Sequence, residues 1–306
     1  MDPIRRAKYL ALFFVTSWMG IVLTSCATLS GCNSCRTGIS HTEPYNPTSF
    51  ALIEVDLFLM PSNCTIKGTS EKCDDLLAKL PPKTVSTRGS GTIVKIVNNK
   101  TYVLTADHVC HHPPRSSFEM PFFPNGQDKP PKIAIITVDQ KTLLVAVDGD
   151  GVRHESKVHA TDSLNDACII VSPGGWGIGR VVAVAQELPA IGATVYNIAA
   201  PFGIFEPGTP GVKLHFEGKY SGHDTRGNFF YTVPARPGSS GSSILNEDGK
   251  IIGVVHSAMI SFENVALASS LTSVQALMAT IPKPEPPAPE PTRMHQNEMH
   301  YLLFGF

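Results

Sequence analysis

The sequence lacks an excess of either charge. Its 25 lysines and arginines are balanced by 26 aspartates and glutamates, and charged residues make up only 17% of the 306 positions. Proteins that attract nucleic acid by electrostatics carry a basic patch or an overall positive charge, which this composition does not supply. We therefore expect no nucleic-acid partner.

The sequence also lacks a second cysteine pair at the spacing of a zinc site. Cys32 and Cys35 form a CxxC pair, but it stands alone in a polar stretch. Zinc sites built on such pairs need two more ligands at a regular spacing. His111 and His112 are interpreted as ordinary loop residues, and we expect neither a metal nor any other cofactor.

Glycine and proline are abundant, with 25 of each, among many aliphatic and β-branched residues. This composition is typical of an all-β domain with many turns and a sizeable core. Residues 84–171 and 174–280 each contain a succession of short apolar runs, and a Pro-rich stretch at residues 109–131 is interpreted as a loop. Two sets of strands predict two six-stranded antiparallel β-barrels, with a short C-terminal helix at residues 272–280. The domain that they form is assigned to residues 84–281.

The two ends of the chain depart from this pattern. Residues 1–30 combine a basic start with an almost wholly apolar stretch, which is the layout of a secretory signal or of a membrane-anchor helix. The residues before Cys26 also fit a lipobox, which makes Cys26 a candidate for lipidation. Residues 31–83 are interpreted as a linker and an extension, with a candidate strand at residues 51–60 that pairs with the first barrel. Residues 282–306 are interpreted as a Pro-rich spacer and a tail.

One stretch, ARPGSSGSSILNEDGKIIGVVHS at residues 235–257, carries the signal for chemistry. A serine flanked as in Gly238-Ser239-Ser240-Gly241 can sit on a tight turn with its hydroxyl exposed. The same turn aims the backbone N–H groups of Gly238 and Ser240 at one point, where they can hold an oxyanion. The pattern therefore predicts Ser240 as a nucleophile and these two amides as an oxyanion hole.

A serine nucleophile needs a base, and the base needs a partner that fixes its tautomer. His108 stands at the end of the β-rich run YVLTADHV, and Asp166 opens the apolar run DACIIV. With Ser240 they give the order His, Asp, Ser, which is the order of the chymotrypsin class and not of subtilisins or α/β-hydrolases. The sequence thus predicts a catalytic triad of His108, Asp166 and Ser240.

With these residues the sequence resembles the trypsin-like serine proteases, above all the HtrA-type bacterial enzymes and their viral relatives. The resemblance spans about residues 84–280 and implies a chymotrypsin-like pair of barrels, with the triad in the cleft between them. It departs from most HtrA-type enzymes because no PDZ domain is expected after the protease. The matching motifs are GSGT at residues 89–92, LTADHV around His108, DACIIV around Asp166, APFG at residues 200–203, PGSSGS around Ser240 and GKIIGVV after it.

Neighbouring residues offer alternatives to two members of the triad. Asp162 is the alternative to Asp166, but only Asp166 opens an apolar strand as in the family pattern. Ser239 and Ser242 flank Ser240, but only Ser240 has a glycine two positions before it and another directly after it. Asp166 and Ser240 therefore remain the preferred candidates.

The remaining cysteines suggest an oxidising compartment. Cys64 and Cys73 are near enough in sequence to close a small loop. Cys110 and Cys168 each follow a proposed triad residue by two positions, so they could be close in space. We interpret them instead as small buried thiols, because free cysteines are often buried as small apolar side chains.

The substrate pocket is predicted only by the resemblance, which places Pro234, Val255, His256 and Ser257 in its walls. Pro234 stands where trypsin-type enzymes carry their selector for basic residues, so an aspartate-based preference for Lys or Arg is not expected. Glutamyl endopeptidases use a histidine near position 256, but His256 comes one residue later than in their pattern. In a regular strand Val255 or Ser257 would face the pocket instead, which would suit a small or medium apolar side chain.

The interpretation that follows is a membrane-associated serine endopeptidase that acts on a polypeptide substrate through an acyl-enzyme. We expect it to be exported and membrane-associated, in the cell envelope or periplasm of a bacterium or at a host membrane if the source is viral. Two other functions stay open from the sequence: a catalytically inactive trypsin-like binding module, and a viral polyprotein-processing protease.

Overall fold

The computed structural model describes residues 49–123, 131–203, 214–225, 227–259, 262 and 264–284. Within them the chain forms thirteen strands and three short α-helices, with a 3-10 turn at Pro201–Gly203. The strands are β1 (Phe50–Ile66), β2 (Lys83–Val97), β3 (Lys100–Thr105), β4 (Arg115–Phe122), β5 (Lys132–Val147), β6 (Arg153–Asp162), β7 (Ala167–Pro173), β8 (Thr194–Ala199), β9 (Leu214–His223), β10 (Phe229–Tyr231), β11 (Ser243–Leu245), β12 (Ile251–Ala258) and β13 (Ala266–Ala268). The helices are α1 (Asp74–Leu77), α2 (Asp107–Cys110) and α3 (Leu271–Ala279).

The expected signal or anchor segment at residues 1–30, including the lipidation candidate Cys26, lies outside the described residues. The CxxC pair of Cys32 and Cys35 and the tail from residue 285 onward also lie outside them. None of the helices described here is both long enough and apolar enough to cross a lipid bilayer.

Six antiparallel strands close the first barrel in the order β1-β2-β3-β7-β6-β5, and pairing of β1 with β5 completes the ring. Its interior is filled by fully buried aliphatic side chains such as Ile53, Ile93 and Ile170. The barrel begins at Phe50, upstream of the boundary at residue 84 that we expected from the sequence. The candidate strand at residues 51–60 is thus an integral part of the barrel, because without β1 the ring would be open.

The far ends of β1 and β5 extend beyond the barrel, still paired with each other, and β5 also pairs there with β4. A second small core lies on this extension, where Cys64, Ile66 and Ile136 are buried under Leu76 and Leu77 of α1. A disulfide between Cys64 and Cys73 ties α1 to β1, with a Cα–Cα distance of 5.2 Å, which confirms the small loop expected from the sequence.

The second barrel is closed by six strands in the order β10-β13-β12-β11-β8-β9. Its core includes Tyr231, Ile244 and Ile252, all without exposed surface. The predicted all-β architecture of two six-stranded antiparallel barrels is therefore confirmed.

The predicted C-terminal helix is also present and joins the two barrels. The hydroxyl of Ser270 caps α3 by accepting a hydrogen bond from the Ser273 N–H. Val274 and Leu277 of the helix pack into one apolar cluster with residues of both barrels, among them Leu104 of β3 and Val254 of β12. This shared cluster fixes the cleft between the barrels, because neither barrel can shift without exposing part of it.

Candidate active site

The turn that carries Ser240 depends on two glycines with positive φ. Gly238 has φ +95° and Gly241 has φ +89°, values that side chains of L-residues rarely adopt. A Cβ on Gly238 would overlap the Ala200 carbonyl oxygen, and a Cβ on Gly241 would overlap the Ser90 carbonyl oxygen and the Thr105 hydroxyl. The GSSG pattern is thus required both by backbone conformation and by the close approach of neighbouring segments.

Of the three serines in this turn, two have structural partners. Ser239 is buried and its hydroxyl accepts a hydrogen bond from the Arg236 N–H at 3.2 Å. Ser242 is fully buried, donates to the Ser239 carbonyl at 2.7 Å and accepts from the Asn197 amide at 2.9 Å. Ser240 is the partly exposed serine of the three. The geometry therefore favours Ser240 over its two neighbours.

His108 and Asp166 lie side by side in the first barrel. His108 is half exposed on α2, the single helical turn that follows β3, and Asp166 directly precedes β7. The Asp166 carboxylate accepts two hydrogen bonds from His108, one from the backbone N–H at 2.9 Å and one from Nδ1 of the ring at 2.7 Å. This arrangement fixes the orientation of the imidazole and leaves its Nε2 directed away from the carboxylate.

The backbone conformation of Asp166 and the pKa of its carboxyl are both related to these hydrogen bonds with His108. Its φ is +51°, which is uncommon for a residue other than glycine and costs free energy unless the surroundings impose it. Burial disfavours the charged carboxylate, but the hydrogen bonds from His108 outweigh burial, so the pKa of Asp166 is lowered from its ordinary value. Asp166 is therefore an ionised hydrogen-bond acceptor for His108 at neutral pH.

The alternative aspartate has a different set of partners. Asp162 accepts hydrogen bonds from the Ser273 hydroxyl at 2.6 Å and from the backbone and side chain of Asn165. These contacts tie the β6–β7 loop to the first turn of α3. The structure thus assigns Asp162 a structural role and brings Asp166, not Asp162, to His108.

The serine turn packs directly against the segment that carries His108. The Ser240 carbonyl accepts from the Ser90 N–H at 2.7 Å, and the Ser90 hydroxyl donates to the Gly238 carbonyl at 2.8 Å. Gly89 lies between Ser240 and Val109, the residue after His108. The two halves of the site therefore meet through β2, whose GSG motif leaves room for both.

Among the described residues, the Ser240 hydroxyl makes no hydrogen bond to the His108 imidazole. In enzymes without substrate, catalytic hydrogen bonds are often long and shorten only in the complex. The structure brings the two segments together, and the bond between their side chains stays a prediction.

The backbone donors expected for an oxyanion hole are free. No acceptor within the described parts of the chain receives the N–H of Gly238 or that of Ser240, whereas the intervening Ser239 N–H donates to the Arg236 carbonyl at 2.8 Å. Two unpaired backbone donors on one strained turn can be satisfied by the oxygen of a bound carbonyl.

A cavity of about 470 Å³ opens beside Ser240. Val255 and Ser257 of β12 line it, as predicted from the sequence. Pro234 and His256, which were also predicted to line the substrate pocket, are not among the described residues that do so. The pairing of β12 with β13 shifts register between Val255 and Ser257, which places His256 at a β-bulge. The remaining wall residues are Ala235, Arg236, Pro237, Ser239, Ala258, Met259 and Phe262.

His256 lies close enough to the proposed triad residues His108 and Asp166 to interact with them electrostatically. Burial lowers the pKa of His256 from its ordinary value, the charge of Asp166 opposes this shift, and the neighbouring His108 adds to it. The His256 ring also lies 3.0 Å from the Ser257 hydroxyl through Nδ1. The neutral imidazole is therefore favoured next to the Asp166–His108 pair.

Sequence reasoning missed two further features of the site. Met259 and Phe262 line the cavity from the segment after β12, where no motif marks them. Cys110 and Cys168 form a disulfide with a Cα–Cα distance of 6.7 Å, so our interpretation of them as free buried thiols was wrong. Their common offset of two residues from His108 and Asp166 was the signal that could have predicted the bond.

The chain is similar to known proteins in sequence and in structure. A family model described as the trypsin-like peptidase domain matches residues 89–254. The chain is similar in structure to a serine endoprotease from Yersinia pestis, with 15% sequence identity and a TM-score of 0.46, covering 76% of this chain and 63% of that chain. It is also similar to a protein from M. tuberculosis, solved as a serine-to-alanine mutant in an inactive form, with 16% identity, a TM-score of 0.43 and coverage of 77% and 86%. The chain thus spans less than two thirds of the Yersinia pestis structure. No curated protein sequence matches it.

Proposed function

Because the chain belongs to the trypsin-like peptidase family, we propose that it is a serine endopeptidase that acts through His108, Asp166 and Ser240. The observation that carries the proposal is the pair of hydrogen bonds from His108 to Asp166, next to a turn that exposes Ser240. A histidine oriented by an ionised carboxylate beside an accessible serine is the arrangement that activates a hydroxyl for attack.

In the proposed reaction, the Ser240 hydroxyl oxygen attacks the carbonyl carbon of the scissile peptide bond. The hydroxyl proton passes to Nε2 of His108, while the Nδ1–H remains hydrogen-bonded to Asp166. Collapse of the tetrahedral intermediate transfers that proton to the leaving amine and leaves an acyl ester on Ser240. Water then attacks the ester by the same route, which releases the carboxylic acid and restores the hydroxyl.

Charge that develops on the carbonyl oxygen would be met by the free N–H groups of Gly238 and Ser240. Removing one such donor in other enzymes costs about 3–4 kcal/mol of transition-state stabilisation. Gly238 and Gly241, on either side of Ser239 and Ser240, both have positive φ and so fix the turn in a conformation that other residues rarely adopt. The turn is therefore preorganised before a substrate arrives.

The cavity supports a preference for a small or medium apolar side chain next to the cleaved bond. Val255, Ala258 and Phe262 supply apolar surface to its wall, and no carboxylate is among the described residues that line it. A pocket of this kind offers no ion pair to a lysine or arginine of the substrate. Arg236, the one charged residue among the described lining residues, is exposed to solvent.

The proposal extends to an exported, membrane-associated enzyme. The apolar segment at residues 1–30 supports export, with membrane attachment through an uncleaved helix or through a lipid on Cys26. The two disulfides of the described chain are consistent with folding outside a reducing cytoplasm. Detection of the full-length chain in a membrane fraction, and its release when residues 1–30 are deleted, tests this part.

The experiment that tests the enzymatic function is covalent labelling with a fluorophosphonate. The probe reacts only with a serine that a neighbouring base activates, so we expect labelling of the native protein and none of the Ser240→Ala variant. Ser221→Ala, which removes an exposed serine on β9, is the control and should label like the wild type. Absence of labelling in the folded wild-type protein would instead favour an inactive binding module.

Digestion of a peptide library by the native protein then tests the substrate class. Cleavage after small or medium apolar residues is expected, and cleavage after lysine or arginine would contradict the proposed pocket. Cleavage of the chain itself near either end during expression would point to the polyprotein-processing alternative.

A further inference from the structure

The disulfide between Cys110 and Cys168 lies directly behind the proposed catalytic pair. Cys110 is the last residue of α2, two positions after His108, and Cys168 lies two positions after Asp166. We infer that this disulfide is a positioning element that holds His108 and Asp166 in hydrogen-bonding register. The inference deepens the proposed function and rests on it.

The disulfide and the pairing of β3 with β7 together enclose residues 105–110 in a closed ring, which we call the clamp. Thr105, the last residue of β3, is the direct partner of Cys168 in the antiparallel ladder. The disulfide ties Cys110 to the same Cys168. Both ends of the segment 105–110 are therefore fixed to one residue of β7, and His108 lies within the closed ring.

Without the clamp, little in α2 itself holds the position of His108. The helix has four residues, and its N-cap residue Ala106 provides no side-chain cap. A single helical turn is not stable by itself, because nucleation fixes several residues for one hydrogen bond. The residue that follows, His111, is already extended. The disulfide therefore supplies the constraint on His108 that a longer, capped helix would otherwise supply.

Asp166 belongs to the same arrangement, because Cys168 lies two residues after it. Its positive φ of +51° persists only where the surrounding structure imposes it. On one side of Asp166 the β6–β7 loop is held by Asp162 through its bond to Ser273. On the other side, Cys168 is held in β7 by its pairing with Thr105 and Thr161. Loss of the disulfide would therefore free the Cys110 end of the segment 105–110 and would let the His108 N–H move away from the Asp166 carboxylate.

The bond is placed as a permanent link and not as an accessible thiol switch. Cys110 is 2% exposed and Cys168 is fully buried, in an apolar cluster with Ala106, Val109 and Ile170. Exchange requires a thiolate to reach a disulfide sulfur, which burial prevents in the native state. The disulfide therefore acts on geometry throughout the catalytic cycle.

The test compares removal of this disulfide with removal of the other one. The variants are Cys110→Ala/Cys168→Ala and the volume-conserving Cys110→Ala/Cys168→Val, since valine suits a buried strand. The matched control is Cys64→Ala/Cys73→Ala, which removes the disulfide of the β1 extension, away from the site. All are assayed well below their melting temperatures, so that the folded enzyme is compared.

We expect both Cys110/Cys168 variants to lose about 10- to 100-fold in kcat with a much smaller change in KM, because misplacement of a catalytic group slows chemistry. The control should keep kcat within about twofold of wild type. The second readout is the pKa of Asp166, followed by carbon NMR of its carboxyl. It should rise toward its ordinary value when the hydrogen bonds from His108 are lost, and stay low in the control.

Two results would overturn the inference: unchanged kcat in either folded Cys110/Cys168 variant, or a pKa of Asp166 that stays low in both. A lower melting temperature alone does not support it, because any disulfide contributes stability. Failure of the proposed function looks different, since the wild type would then show neither cleavage nor fluorophosphonate labelling. The NMR titration of Asp166 would still decide whether the clamp positions the pair.

Discussion

Replacement of Gly241 by alanine tests the idea that the serine turn is held by backbone contacts on both sides. Gly241 has φ +89°, and a Cβ there would overlap the Ser90 carbonyl oxygen and the Thr105 hydroxyl. Neither partner can withdraw easily, because the Thr105 hydroxyl donates to the Ser90 carbonyl at 2.8 Å. The turn must shift instead, and Ser240 with it.

The expected magnitude has two parts. Forcing an alanine to positive φ costs about 1–2 kcal/mol. Overpacking of a tightly packed site adds typically about 1–3 kcal/mol. Together they predict that Gly241→Ala lowers the free energy of unfolding by roughly 3 kcal/mol, which for a domain of this size corresponds to a melting temperature lower by roughly 6–12 °C.

A matched control separates the two parts. Gly174 has φ +79°, but a Cβ there would meet no atom within 4 Å. Gly174→Ala should therefore show only the conformational part, a loss of about 1–2 kcal/mol. Urea unfolding followed by tryptophan fluorescence measures both variants. The difference between them is the cost of the contact with Ser90 and Thr105.

Activity gives the sharper readout of the same substitution. A shift of Ser240 by about 1 Å would lower kcat/KM by about 100-fold in the folded variant, whereas Gly174→Ala should leave it unchanged. The reasoning is refuted if Gly241→Ala unfolds at the same urea concentration as Gly174→Ala and cleaves peptides at the wild-type rate. In that case the close contacts at Gly241 would not constrain the turn.

The site motifs were predictable from the sequence because each one reflects a local physical requirement. The GSSG turn needs glycines where φ is positive and where neighbouring backbone comes close, as at Gly238 and Gly241. The position of Asp166 at the start of an apolar run marks the end of a loop that enters a buried strand. Such requirements involve adjacent residues, so they can be recognised in the sequence before the fold is known.

Features that depend on long-range pairing were not predictable in the same way. β1 closes the first barrel by pairing with β5, and nothing in residues 50–66 indicates that distant partner. The disulfide of Cys110 requires the ladder register of Thr105 with Cys168, which periodicity alone does not fix. Both features are consequences of the closed barrel. The sequence indicated only a candidate strand at residues 51–60 and a common offset of Cys110 and Cys168 from His108 and Asp166, without their exact partners.

The stretch 109–131, interpreted as a loop, shows how composition can mislead. It contains β4, which includes Pro121. Proline is excluded from the middle of a sheet because it lacks an N–H, but it is tolerated in an edge strand. Among the described strands β4 is the last of its sheet and pairs only with β5, so one side of β4 makes no ladder hydrogen bonds. The prolines marked an edge of the sheet and not the absence of a strand.

Three further substitutions test the site and its electrostatics. Asp166→Asn should lower kcat by about 10,000-fold, as loss of the orienting carboxylate does in related triads. Asp162→Asn weakens only contacts such as that with Ser273, so it should leave kcat close to the wild-type value. Ser257→Asp places a carboxylate in the cavity wall, so peptide-library cleavage should shift toward lysine and arginine. The same Asp166→Asn variant tests the pH dependence of stability. Because folding lowers the pKa of Asp166 from 3.8, its contribution to stability is present above that value and is lost as the pH falls through the lower folded pKa. The wild type should therefore lose more stability than Asp166→Asn during acidification in that range, as measured by urea unfolding. The pKa of Asp162 is lowered as well, but its contribution is the same in both proteins. If the free energies of unfolding of the two proteins fall in parallel with pH, the hydrogen bonds from His108 do not stabilise the charged Asp166.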